Sequence, residues 1–117
     1  MTTSTYIAEA FSRHEFLATF EHLADDIEWN NVGGEQHRGR EAVIAACTAT
    51  AEALATAQVA FARFRTIAAA DTVVIDSQAN YVDEDGTSTV ASCDIYDFKN
   101  DRLTTITSYA VEVHTPD

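Results

Sequence analysis

Residues 72–113 read TVVIDSQANYVDEDGTSTVASCDIYDFKNDRLTTITSYAVEV, and the punctuation of this stretch decides the fold. Asp83-Glu84-Asp85-Gly86 and Lys99-Asn100-Asp101 interrupt three runs dense in β-branched and aromatic residues. Short acidic segments with Gly or Asn supply the backbone freedom that hairpin turns need. Segments 72–82, 87–98 and 102–113 are therefore predicted as three strands of an antiparallel meander, since such short turns leave no room for a crossover. Just upstream, residues 59–67 alternate Phe61, Arg63 and Arg65 against Ala60, Ala62 and Phe64, which predicts a further strand.

Toward the N-terminus the period changes. Residues 40–57 are rich in alanine, carry Val43, Cys47 and Leu54, and hold no Pro or Gly, so they predict a helix entered after Gly39. Residues 30–38 contain Gly33 and Gly34 without periodicity and read as a loop; 25–29 read as a short strand. Between residues 5 and 23, Ile7, Phe11, Leu17, Phe20 and Leu23 recur at helical spacing, broken at Ser12-Arg13-His14 into two short helices. Helices first, then strands, predict one α+β domain over residues 1–117 with its helices on one face of an antiparallel sheet.

Composition narrows the partners. The chain has 117 residues, 46% hydrophobic and 22% charged, enough for a globular core. Seven basic residues against nineteen acidic ones give a net charge of −12. Phosphate backbones and anionic membrane surfaces both call for basic protein surfaces, so no nucleic acid and no membrane partner is expected. Small molecules and other proteins remain. Cys47 and Cys93 form no CxxC, and the four histidines form no HExxH, so no metal is expected and both cysteines read as small buried hydrophobes. Residues 1–5 lack a basic, then apolar, signal pattern, and no run approaches the ~20 apolar residues of a membrane span; a cytoplasmic protein is the expectation.

Strand side chains alternate between two faces. One set holds Val74, Asp76, Gln78 and Asn80; on the next strand Val90, Ser92, Asp94, Tyr96 and Phe98 share a face; on the last, Thr104, Ile106, Ser108, Ala110 and Glu112 do. Carboxylates and amides set among Val, Tyr and Phe suit a ligand cavity, although alternation alone fits a solvated face equally well. His14 and Tyr6 on the first helices are candidates for the pocket mouth. Arg63 and Arg65 are expected to offset acidic groups on the outer face.

The ordered set Ala24-Asp25-Asp26-Ile27-Glu28-Trp29, Gly39-Arg40-Glu41-Ala42 opening a helix, Cys93-Asp94-Ile95-Tyr96-Asp97-Phe98, and Asp101-Arg102-Leu103 through Tyr109 resembles the nuclear transport factor two-like superfamily over roughly residues 6–113. That group includes ketosteroid isomerases, limonene-epoxide hydrolases and SnoaL-like polyketide cyclases. The resemblance implies a curved sheet wrapped against helices as a cone with a deep apolar cavity, and chemistry that uses no cofactor. Against the isomerases, Asp94 takes the place of the oxyanion-hole aspartic acid, Asn31 (or Asn30) that of the base, and Tyr6 lies near the tyrosine. Against the epoxide hydrolases, Trp29 replaces a tyrosine and Asn31 matches a water-positioning asparagine. There Gln78 and Asn80 replace the Arg and Asp of the cavity strand, and Ser108 replaces the second Asp.

An amide accepts no proton at neutral pH, so neither parent chemistry transfers whole. The reading that follows is a cavity for a small apolar carbonyl compound. Asp94 is the acid or hydrogen-bond donor there, Asn31 and Asp76 are the other catalytic candidates, and Trp29, Gln78, Asn80, Tyr96, Ser108, His14 and Tyr6 bind the ligand. Isomerisation, cyclisation and hydration or hydrolysis are the reactions it suits; the alternative is a non-catalytic ligand-binding or interaction module. Ala91, Cys93, Ile95, Val111 and Val113 on the outer face, with the resemblance, lead to an expected homodimer.

Overall fold

In the computed structural model, which describes residues 3–114, helix α1 (Ser4–Ser12) opens on a Thr3 side chain that accepts a hydrogen bond from the Tyr6 backbone N–H at 3.2 Å. That cap satisfies one of the free donors of the first turn. Ala8, Phe11 and Ser12 recur at i, i+3, i+4 and form its buried stripe together with Ile7. The helix ends where His14 adopts φ 65°, a left-handed conformation that turns the chain into a 3-10 helix, Phe16–His22. The two short helical pieces therefore stand where the Ser12-Arg13-His14 break puts them.

Six strands follow around α2 (Arg40–Ala53): β1 (Leu23–Asn31), β2 (Gln36–Arg38), β3 (Gln58–Ala69), β4 (Thr72–Asp83), β5 (Gly86–Lys99) and β6 (Arg102–Glu112). They make one curved sheet in the order β2-β1-β6-β5-β4-β3, antiparallel except for β1 against β6. The predicted α+β meander is present, and Asn100 and Asp101, at φ 53° and 64°, form the tight β5–β6 turn whose twist suits paired strands.

Three details differ from expectation. Residues 36–38 are a strand rather than loop, paired with residues 28–30 of β1. Three residues are too few to show a period. Helix α2 stops at Ala53 instead of continuing to 57, because Gln58 is already paired with Val82 in the sheet. In β3 the register shifts between Phe61 and Arg63, a bulge at Ala62. The extra residue leaves Arg63 and Arg65 outside but turns Phe61 to the same side as Phe64, where the rings meet edge to face at 5.2 Å.

The core lies between the inner face of the sheet and the helices. Phe11, Phe16, Leu23, Ile27, Val43, Cys47, Ile75, Tyr96, Leu103 and Ile106 are all buried there. Burial pushes the Cys47 thiol up to about 12, so it acts as an inert hydrophobe, whereas Cys93 is only half-buried, on the outer face. No described helix is long and apolar enough to cross a membrane. Among the described residues no cluster of three or more His, Cys, Asp or Glu could hold a metal ion.

Candidate functional site

Cross-strand partners share a face, so the register decides what the cavity contains. Asp83 stands opposite Gly86, and counting outward places Ile75, not Asp76, opposite Asp94. On the other side Asp94 faces Ser108, and Tyr96 faces Ile106. The inner face thus combines Ser77, Ala79 and Tyr81 from β4 with Ser92, Asp94 and Tyr96 from β5 and Ser108 and Ala110 from β6. Asp76, Gln78 and Asn80 project from the opposite face, which corrects their place in the candidate site. Asp76 is held there between Arg63 and Arg65, each 3.1 Å away, and Asn80 accepts a hydrogen bond from Thr89. Tyr6 is 51% exposed and does not reach the cavity wall.

The inner face, α1 and α2 enclose a cavity of about 450 Å³. Its wall brings together Trp29, Asn31, Asp94, Tyr96, Ser108 and His14 from the candidates, and adds Phe11, Ser12, Phe16, Glu35, His37 and Tyr81. A signal for Tyr81 was present in the hairpin count, which gives it the parity of Ile75. Ser12 likewise continues the buried stripe of α1. Nothing local marked His37. A larger groove of about 680 Å³ between the 3-10 helix and α2 is lined mainly by apolar residues such as Leu17, Phe20 and Ala51. It holds none of the Ser12, Asp94, Tyr96 and Ser108 cluster, so the inner cavity is the candidate site.

Two hydrogen-bond chains converge on Asp94. The indole Nε1 of Trp29 donates to Ser108 Oγ at 3.1 Å, and Ser108 in turn hydrogen-bonds the carboxyl. Ser12 Oγ donates to Asp94 Oδ2 at 3.4 Å and lies 2.6 Å from Tyr96 Oη. Because Ser12 has one proton to give, Tyr96 is then the donor of that short bond. Burial raises the Asp94 pKa above the ordinary carboxyl value, and the bonds from Ser108 and Ser12 pull it partway back. No Lys or Arg lines the cavity to restore the charge.

At the other end His14 Nε2 lies 3.1 Å from Tyr81 Oη, while its Nδ1 is buried without a partner. Burial lowers the His14 pKa, favouring the neutral ring. A buried lone pair is tolerated better than a buried orphan N–H, so the proton belongs on Nε2, which donates to Tyr81. The Tyr81 hydroxyl hydrogen is then free for the cavity. Burial, and secondarily the nearby Asp94 charge, raises the Tyr81 pKa and keeps it protonated.

Residues 4–106 match the SnoaL-like domain family. The chain belongs to that family. Among curated proteins none matches the SnoaL-like chain. A solved NTF2-like protein of unknown function from Cytophaga hutchinsonii is 34% identical with a TM-score of 0.80, covering 90% of this SnoaL-like chain and 93% of its own. An LEH-like epoxide hydrolase of M. tuberculosis is 18% identical with a TM-score of 0.66, over 92% and 81% of the two chains. A Catenulispora acidiphila protein with a ketosteroid isomerase-like fold, solved with trimethylamine, is 17% identical with a TM-score of 0.69, over 92% and 86%. At those lower identities the likeness establishes the SnoaL-like fold alone.

Proposed function

We propose that this SnoaL-like protein holds a small, mainly apolar molecule by its carbonyl oxygen and promotes proton transfer on it without a cofactor, by isomerisation, cyclisation or hydration. One observation carries the reading: Asp94 lies in an aromatic-walled cavity whose wall holds no Lys or Arg, and burial raises its pKa. Burial favours the protonated carboxyl, and that form donates a hydrogen bond that strengthens as negative charge grows on the carbonyl oxygen. Ser12 and Ser108 fix its direction, and Trp29 and Phe11 supply flat apolar walls.

A second reading, a binding module without catalysis, is favoured by Asn31 standing in the wall and by Asp76 lying outside it. Both readings share a binding test. Trp29 is the only tryptophan and lies in the cavity wall, so its fluorescence reports occupancy. The bicyclic ketone 2-tetralone is expected to quench it saturably and at least about tenfold more tightly than tetralin, the matching hydrocarbon, a difference of ~1.4 kcal/mol for one hydrogen bond. Equal affinity for the two would remove carbonyl recognition.

The proposal extends to assembly as a homodimer. On the outer face Ile67, Val74 and Ile95 form one cross-strand row, with Cys93 beside Tyr109 and Ala91 beside Val111 in the next two. Tyr109 is 47% and Val111 65% exposed. A two-fold partner covering these rows can approach the ~800 Å² per subunit of a stable interface. Light scattering at micromolar concentration is expected to give twice the chain mass, and Val111→Glu to halve it. A monomer mass for the unmodified chain would refute the dimer.

A further inference from the structure

The pairing of β2 with β1 sets His37 opposite Trp29, on the inner side of the sheet. The imidazole and indole rings lie 5.6 Å apart, and His37 lines the same cavity as Asp94. Beyond the indole, Trp29 Nε1 reaches Ser108, the cross-strand partner of Asp94. The indole thus neighbours His37 and also bonds the cross-strand partner of Asp94, so a flat ligand lying along it meets both groups. The His37 side chain is 23% exposed, enclosed enough to meet a ligand and open enough to exchange protons with solvent. Glu35 lies 3.8 Å from Nε2, but its own side chain is 86% exposed, so water screens that pair. His14 is the poorer acceptor, with Nε2 engaged by Tyr81 and Nδ1 enclosed.

We propose that His37 is the proton acceptor of this cavity, working across the face of Trp29 from Asp94. The proposal rests on the carbonyl reading above. The C–H bond beside the carbonyl breaks, and its proton goes to an imidazole nitrogen. The electron pair becomes the new C=C bond while the C=O π pair moves to oxygen, which Asp94 holds by its hydrogen bond. Return of the proton from the imidazolium to carbon restores the ring, with no oxidant, reductant or second substrate consumed. The role falls to His37 on β2, because Asn31 at the end of β1 has no basic group to offer.

The test follows loss of the α-protons of 2-tetralone in D₂O by proton NMR, with binding read separately from Trp29 fluorescence. The unmodified protein is expected to accelerate exchange above buffer. His37→Gln is expected to slow that acceleration by roughly 10²-fold, in the range for losing a general base, with the dissociation constant changed less than about threefold. Imidazole added to His37→Ala is expected to restore part of the rate, which a merely structural role would not allow. If His37→Gln exchanges as fast as the unmodified protein while Asp94→Asn is slowed, His37 is overturned and the carbonyl reading stands. Saturable binding without accelerated exchange also overturns His37 and favours the binding module. Absence of saturable binding defeats the carbonyl reading and this proposal together.

Discussion

Truncating Phe11 to alanine is expected to lower the unfolding free energy by about 3–5 kcal/mol, the usual cost of deleting a buried aromatic ring that its surroundings cannot refill. The ring is 4% exposed, and it meets Phe16 and Trp29 at 5.1 Å and Tyr96 at 5.8 Å, all edge to face. Those three partners come from the 3-10 helix, β1 and β5. No single movement can close the gap around all of them. For a domain near this size the loss corresponds to a fall in Tm of roughly 12–20 °C. Thermal and urea unfolding followed by circular dichroism measure it, with Phe11→Leu as a milder companion expected to cost less than about 1.5 kcal/mol. A Phe11→Ala cost below about 1 kcal/mol would mean that the cavity collapses around the missing ring, and would contradict the packing described here.

Asp94→Asn is expected to change the pH dependence of stability more than its size. The native carboxyl binds its proton more tightly than the unfolded one because burial disfavours its charge. Above the ordinary carboxyl pKa the unfolded chain releases that proton first, so native stability falls as pH rises, until the native group has also ionised. Each unit of the rise in pKa amounts to about 1.4 kcal/mol. Asparagine cannot ionise. Its stability relative to the unmodified protein should therefore climb from acid pH upward and level off once pH has passed the native Asp94 value. Urea unfolding at intervals from about pH 3 to pH 9 reads the difference directly. A difference that falls with increasing pH would mean a depressed Asp94 pKa and would end its role as hydrogen-bond donor.

Much of this architecture was legible in the chain. The turn residues at 83–86 and 99–101 and the change of period near residue 58 were enough for an α+β meander, and alternation along β5 placed Asp94, Tyr96 and Ser92 together. Relative parity between neighbouring strands is a different matter. Placing Asp76 on the face of Asp94 amounts to a slip of one residue in the β4–β5 register, and such a slip exchanges the two faces. With Glu84-Asp85 as the two-residue loop, the register follows from the turn. The Ala62 bulge and the short β2 carry no local signature, because both are imposed by the strands they pair with. His37 lacks a sequence signal for the same reason, whereas Trp29, the ring it meets, stands in a run that reads as a strand.

The single parallel pairing in the sheet has a kinetic meaning. Strands β3 to β6 are joined by tight turns and can zip from hairpin to hairpin, each step closing a short loop. The contact of β1 with β6 instead brings Asn31 beside Ser108 across most of the chain. Closing so large a loop is entropically costly, and its contacts come late unless the intervening segment has already collapsed. A polypeptide emerging from the ribosome N-terminus first can pack α1 on β3 to β5 as these form, but β1, with β2 and α2 against it, has no strand of the meander to join until β6 is available. The cavity, whose wall takes Trp29 from one end of that loop and Ser108 from the other, is among the last features to be completed.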